Sequence, residues 1–346
     1  MPVLDPIDLR SDTVTKPSPD MRKAMYEAEV GDDVFGEDPT ANLLQEKLAD
    51  LLGKEKALFV PSGVMGNQLC VKAHTEPGDE VILDYDSHIF NYETTASSII
   101  SGVQLHPLPG LRGVVTADQI KQAVRPRAYY LPRTTLVCLE NTHNRAGGTV
   151  FPLEEIQRIR DLADEVGLKM HLDGARLWNA LVATGVPLAE YCKYFDSVSV
   201  CFSKGLGAPV GSAIAGSAAL IERAHRYRKI LGGGMRQIGI LAAAAQYALN
   251  HNIARLKEDH EKAKYLAQEL SHLKTLKIDP ASVQTNIVLI DVRETGRSTD
   301  EVLKMLRESG VLLTPEKQTI VRAVTHLDVT RAQIEQAVEV FRKLFH

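Results

Sequence analysis

The sequence is short of several things, and each shortage excludes something. It has four cysteines in 346 residues. Cys70, Cys138, Cys192 and Cys201 are scattered, with no Cys-x-x-Cys pair to hold zinc or cycle a disulfide. Three of the four sit in apolar runs, as small core residues do, and such usage fits a reducing compartment, the cytoplasm. No apolar run approaches the roughly 18 residues that a membrane span needs. The opening MPVLDPIDLRSDTVTK carries no apolar signal core. Neither sign of charge dominates: 40 Lys and Arg against 44 Asp and Glu leave a net charge of -4. Neither nucleic acid nor an anionic membrane is therefore expected as a partner. Repeats and low-complexity tracts are also missing. What remains, 44% hydrophobic and 24% charged, is an ordinary soluble composition. The length allows two domains and a large core.

Along the chain, residues 1–50 read as an N-terminal arm packed on the large domain. Helices are expected over 19–29, capped by Ser18, and over 40–52, stopped by Gly53. From residue 57 short apolar strands alternate with helices. Strands are expected at 57–60, 80–84, 103–108, 135–140, 169–172, 197–204 and 211–216. Such alternation predicts an α/β fold with a mostly parallel sheet and helices on both faces. A long helix is expected over 235–273, with the boundary of the large domain (51–250) inside it. Residues 251–346 then form a small C-terminal α/β domain.

Parallel strands present their C-terminal ends along one edge, where such sheets bind ligands. Those ends carry Ser62, His88, Glu140 with Asn141, Asp173 with Arg176, and Lys204. A lysine closing a buried strand is desolvated, which favours the neutral amine that attacks a carbonyl to form a Schiff base. Asp173 lies one crossover before it, so the two are expected as neighbours on the edge. A carboxylate and a lysine so placed are what pyridoxal 5′-phosphate requires. The lysine holds the aldehyde, and the carboxylate keeps the ring nitrogen protonated. Ser62-Gly63-Val64 opens a helix whose N–H groups suit the phosphate. His88 can stack on the ring.

The ordered segments LRSDTVTKP, GDDVFGEDPT, FVPSGVMGNQ, DSHIF, ENTHN, HLDGAR, FSKGLGAPVGS and LGGGMRQ, with IVRAVTH near the end, span most of the chain. In that order they resemble the threonine aldolases, pyridoxal-phosphate enzymes of fold type I, the aspartate-aminotransferase-like class. The resemblance implies that Lys204 carries the cofactor and that Asp173 pairs with its ring nitrogen. It implies that His88 stacks on the ring, and that Ser62, Gly63 and Val64 hold the phosphate. Arg176 would reach the ring hydroxyl and the substrate carboxylate, and Ser11 and Arg322 would clamp that carboxylate. Arg236, with Lys229 as a weaker candidate, would reach the phosphate of a neighbouring subunit in a homodimer or homotetramer with shared sites. No metal is implied.

The implied reaction is cleavage of L-threonine or L-allo-threonine to glycine and acetaldehyde, with His88 or a water near it as base. A β-eliminating lyase or a transaminase would use the same Lys204 and Asp173 and is the alternative. Three positions depart from the family pattern. Val64 and Phe35 replace a usual threonine and tyrosine, and Tyr130 stands where many members carry a histidine facing the substrate hydroxyl.

Overall fold

The structure, a computed structural model, describes residues 6–345. The first five residues of the expected arm and the last residue of the expected small domain lie outside it. After a short strand β1 (Ile7–Asp8), seven strands build the main sheet. They are β2 (Lys56–Val60), β3 (Asp79–Asp84), β4 (Gln104–Leu108), β5 (Arg133–Glu140), β6 (Lys169–Gly174), β7 (Ser197–Cys201) and β8 (Ser212–Gly216). Their order across the sheet is β2-β8-β7-β6-β5-β3-β4. Every residue of β3, β7 and β8 is buried, as expected when helices cover both faces.

One strand breaks the parallel pattern. β8 runs antiparallel to both β7 and β2. The ten residues between β7 and β8 contain no helix, and a parallel return needs a crossover of a dozen or more residues. The chain therefore reverses. This reversal keeps Lys204 and the glycine-rich loop at the edge where β6 and β7 end.

Several helices begin at their expected caps, but the first stops at Tyr26 rather than at residue 29. α1 (Pro19–Tyr26) is capped by Ser18, whose oxygen accepts the Met21 N–H. α2 (Pro39–Leu52) ends at Gly53 in the left-handed conformation, φ 61°, which glycine adopts without a Cβ clash. Its Leu44, Leu48 and Leu52 recur every four residues and lie in the main core. α3 (Gly63–His74) follows β2 and is capped by Ser62. Thr116 and Gln119 form a reciprocal cap on the helix Ala117–Ala123.

A second hydrophobic cluster draws on β9 (Ile287–Asp291), β10 (Val311–Leu312) and β12 (Ile320–Val324), the last paired with β11 (Thr314–Lys317). The helices Leu256–Leu270, Thr299–Glu308 and Arg331–Leu344 contribute to it. Two local expectations change here. The chain's first strand does not pack on the large domain. β1 pairs with β10, Ile7 opposite Val311, and Ile7 and Leu9 are buried in this second cluster. The reason is that β10 offers a free edge and Ile7 and Leu9 offer alternate apolar side chains. The expected long helix is two helices, Gly239–His251 and Leu256–Leu270. Asn250 and Asn252 are poor helix formers, and Asn252 turns its side-chain amide to the Leu206 carbonyl at 2.7 Å.

Candidate active site

A cavity of about 360 Å³ opens where β2, β5, β6 and β7 end. Ser62, Gly63, Val64, His88, Asp173, Arg176 and Lys204 all line it. A larger cavity, about 580 Å³, lies at the opposite edge of the sheet between Lys54, His74 and Lys169 and holds none of these groups.

β6 and β7 are neighbouring parallel strands, with Asp173 opposite Ser199, so their ends place Asp173 and Lys204 on one wall. Lys204 Nζ donates to Cys201 Sγ at 3.4 Å, and Thr15 Oγ1 holds the Lys204 carbonyl at 3.0 Å. Asp173 is buried, with Oδ1 taking the Ala175 N–H at 3.1 Å and Oδ2 the Asn67 side-chain N–H at 2.8 Å. Facing them is the start of α3. Ser62 Oγ accepts the Met65 N–H, while the N–H groups of Gly63 and Val64 find no acceptor among the described residues. Helix-start N–H groups that point into a cavity are an anion site. Gly63 is required there, because a Cβ would stand 2.8 Å from Cys201 Sγ.

His88 begins a helical turn, His88–Asn91. Its backbone N–H is fixed by Glu140 Oε2 at 2.7 Å, and Glu140 Oε1 holds the Asn144 N–H at 2.8 Å. Its Nδ1 meets Glu93 Oε1 at 2.9 Å. Burial pushes the His88 pKa down, but the Glu93 bond and the charges of Asp173 and Glu140 outweigh it and leave it above the ordinary value. Ligand-type atoms of His88, Glu93 and Asp173 lie within 4.8 Å of one another. The Asn67 amide N–H groups bond both carboxylates, so hydrogen bonding already joins this group.

Arg176 is less free than the sequence implies. Nε and Nη2 are bonded to Asp12 at 2.8 and 2.7 Å, so only Nη1 remains, 3.1 Å from Asn144 Oδ1. The same Asn144 oxygen accepts Arg322 Nη1 at 3.1 Å. Arg322 is thus one residue removed from the cavity wall, and it also pairs with buried Glu316 at 3.1 Å. Burial and the nearby Arg176 charge lower the Arg322 pKa, and burial raises that of Glu316. Ser11 caps the short turn Asp12–Val14 and points its oxygen at Thr13, which lines the cavity.

Three expected residues are not brought to this cavity within one chain. Arg236 is half exposed and paired with Asp32 at 2.8 Å, and Lys229 is exposed on the outer face of its helix. Tyr130 is 73% exposed and precedes β5, whereas the cavity lies at the other end of that strand. Eight strand residues separate them by roughly 25 Å. Conversely, Asp12, Asn67, Glu93 and Asn144 belong to the site and were not singled out. Asp12 sits beside Ser11 in LRSDTVTKP, and Asn67 lies one helical turn beyond Gly63 in FVPSGVMGNQ. That one-turn spacing is a signal, since it puts both on the same face of α3.

Residues 8–294 match the family described as beta-eliminating lyase. A probable low-specificity L-threonine aldolase 2 of Arabidopsis thaliana is 47% identical over 98% of this chain and 97% of its own length. The chain belongs to the threonine aldolase family. The low specificity L-threonine aldolase of Escherichia coli (strain K12) is 42% identical over 97% of this chain and 98% of its own. Among solved structures, the Leishmania major threonine aldolase superposes with a TM-score of 0.84. It covers 98% of this chain and 99% of its own at 21% identity, which speaks for the fold. The donor set of this threonine aldolase chain suits pyridoxal phosphate. An amine, a carboxylate, an imidazole and a helix start surround one cavity.

Proposed function

We propose that the protein is a pyridoxal-phosphate enzyme that cleaves L-threonine and L-allo-threonine to glycine and an aldehyde, acetaldehyde for these two substrates. The observation that carries the reading is one cavity lined by Lys204, Asp173, His88 and the start of α3, in a chain 47% identical to a low-specificity L-threonine aldolase over nearly its whole length. When bound, the cofactor supplies a covalent carbonyl for the amino group and an electron sink for the broken Cα–Cβ bond. Lys204 Nζ would anchor that carbonyl, Asp173 would hold the ring nitrogen, and the Gly63 and Val64 N–H groups would hold the phosphate. Arg322, joined to Arg176 Nη1 through Asn144, would orient the substrate carboxylate together with Ser11.

His88 moves the proton. Its Nδ1 is engaged by Glu93, so Nε2 takes the β-hydroxyl hydrogen. The test is an assay of the purified protein with pyridoxal phosphate and L-threonine. Glycine and acetaldehyde in equal amounts support the reading; pyruvate or another keto acid in their place defeats it.

The same reading makes the active unit a self-assembled dimer or tetramer, with Arg236 and Lys229 serving a neighbour's phosphate. Exposed apolar side chains support this: Tyr26, Val30, Phe35, Ile230 and Ile240 lie on α1, the loop after it and two neighbouring helices. Tyr130 is assigned to a neighbour's site on the same ground. The cytoplasm is the proposed location, supported by four free, buried cysteines. No helix among the described residues is long and apolar enough to cross a membrane.

A further inference from the structure

We infer that Asn67 is a positioning residue, whose single side-chain amide aims Asp173 and sets the tautomer of His88. The inference rests on the proposed function. Asn67 is buried on α3, one turn beyond Gly63. Its amide nitrogen carries two hydrogens and meets two carboxylates, Asp173 Oδ2 and Glu93 Oε1, each at 2.8 Å. The flipped amide would set an oxygen against both carboxylates, which repel it, so the orientation is fixed.

The remaining protons follow in sequence. The amide oxygen faces His171 Nε2 at 3.1 Å. An amide oxygen only accepts, so His171 carries its hydrogen on Nε2. His171 Nδ1 then accepts from Ser197 Oγ at 2.9 Å, and Ser197 Oγ accepts from His74 Nε2 at 2.9 Å. Burial pushes the His171 pKa down to about 4 and the His74 pKa to about 3, which keeps both rings neutral as this pattern needs. The donors run one way, from His74 beside the far cavity to the two carboxylates at the site.

On the other side, Glu93 Oε1 also faces His88 Nδ1 at 2.9 Å, and Gln68 Nε2 donates to Glu93 Oε2 at 2.5 Å. His88 Nδ1 is therefore the donor nitrogen, and in the neutral ring Nε2 keeps the lone pair. The chain after Glu93 is strained to hold it: Thr94 and Thr95 adopt φ of 52° and 56°, a left-handed conformation that β-branched residues avoid.

The experiment compares the parent holoenzyme with Asn67→Ala, and with His171→Leu and His171→Gln. Asn67→Ala is expected to weaken pyridoxal-phosphate binding about tenfold, read by titrating visible absorbance, and to lower kcat about 100-fold. KM is expected to stay within about threefold, because Asn67 does not reach the substrate carboxylate. His171→Leu removes the donor that orients the amide and is expected to lower kcat about tenfold. His171→Gln restores a donor and much of the loss.

If Asn67→Ala lowers thermal stability but leaves cofactor affinity and kcat within about twofold, the residue only packs and the inference is overturned. If Asn67→Ala does not fold, the His171 pair decides: equal kcat in His171→Leu and the parent overturns it. A parent that neither acquires the cofactor band nor cleaves threonine overturns the proposed function, and this inference with it. A variant that matches an active parent overturns this inference alone.

Discussion

Arg176 and Asp12, 164 residues apart, form a two-pronged ion pair, Nε to Oδ2 at 2.8 Å and Nη2 to Oδ1 at 2.7 Å. Both are buried. Burial alone would raise the Asp12 pKa, but the Arg176 charge and hydrogen bonds overcome it and hold it below the ordinary value. The pair fastens the chain's first turn against the end of β6 and leaves Arg176 Nη1 as the part that faces Asn144. Asp12 also accepts from Asn286 Nδ2 at 3.2 Å, so it joins the second cluster to the site.

Asp12→Ala is expected to leave a buried guanidinium unpaired, at a cost of about 3–5 kcal/mol. Denaturant unfolding of the two proteins checks this. A change below about 1 kcal/mol would mean that Arg176 finds water or another partner.

Lys204→Ala is expected to abolish turnover and leave the fold intact, since among the described residues the side chain's hydrogen bond is the weak one to Cys201. Glycine release and circular dichroism are the readouts. Turnover within about tenfold of the parent contradicts the assignment.

Asp173→Asn is expected to lower kcat at least about 100-fold, near 2.7 kcal/mol, because an amide cannot balance a charged ring nitrogen. The Asn67 amide would also lose a carboxylate acceptor. An unchanged kcat with normal cofactor content refutes the role.

Arg322→Lys is expected to raise KM for threonine about 10- to 100-fold with a smaller change in kcat. A lysine keeps the charge but not the planar fork that grips a carboxylate with two parallel N–H groups. Equal KM values in the two proteins would remove Arg322 from carboxylate binding.

Stability is expected to fall in mild acid. His171 has a folded pKa of about 4 against an ordinary 6.5, so the unfolded chain binds the proton first. Its stabilising contribution is complete above pH 6.5, falls as pH drops, and is gone below about 4. The contribution is on the order of 1–3 kcal/mol. His171→Gln should show a shallower loss between pH 6.5 and 4.5. Parallel curves for parent and variant would show that His171 takes up its proton without cost.

Much of the arrangement was legible in the residues. Alternating apolar strands and capped helices specify a mostly parallel sheet, because hydrophobic period and cap chemistry are local properties. From such a sheet it follows that Ser62, His88, Asp173 and Lys204 end on one edge. The sequence could not say that β1 leaves the arm for β10, since edge pairing depends on which edge is open after the rest has folded. Connectivity alone does place Tyr130, which precedes β5, away from this chain's cavity, but where Arg236 points was not legible, because a loop's direction is set by what it packs on. The clamps around the site were the least legible part. Asp12 reaches Arg176 across 164 residues, and Asn67 reaches Asp173 across 106. A hydrogen bond at that separation leaves no periodicity in the chain; it exists only once two distant backbones are packed within 3 Å of each other's side chains. Local patterning therefore determined which groups reach the edge, and tertiary packing alone decided how each is aimed.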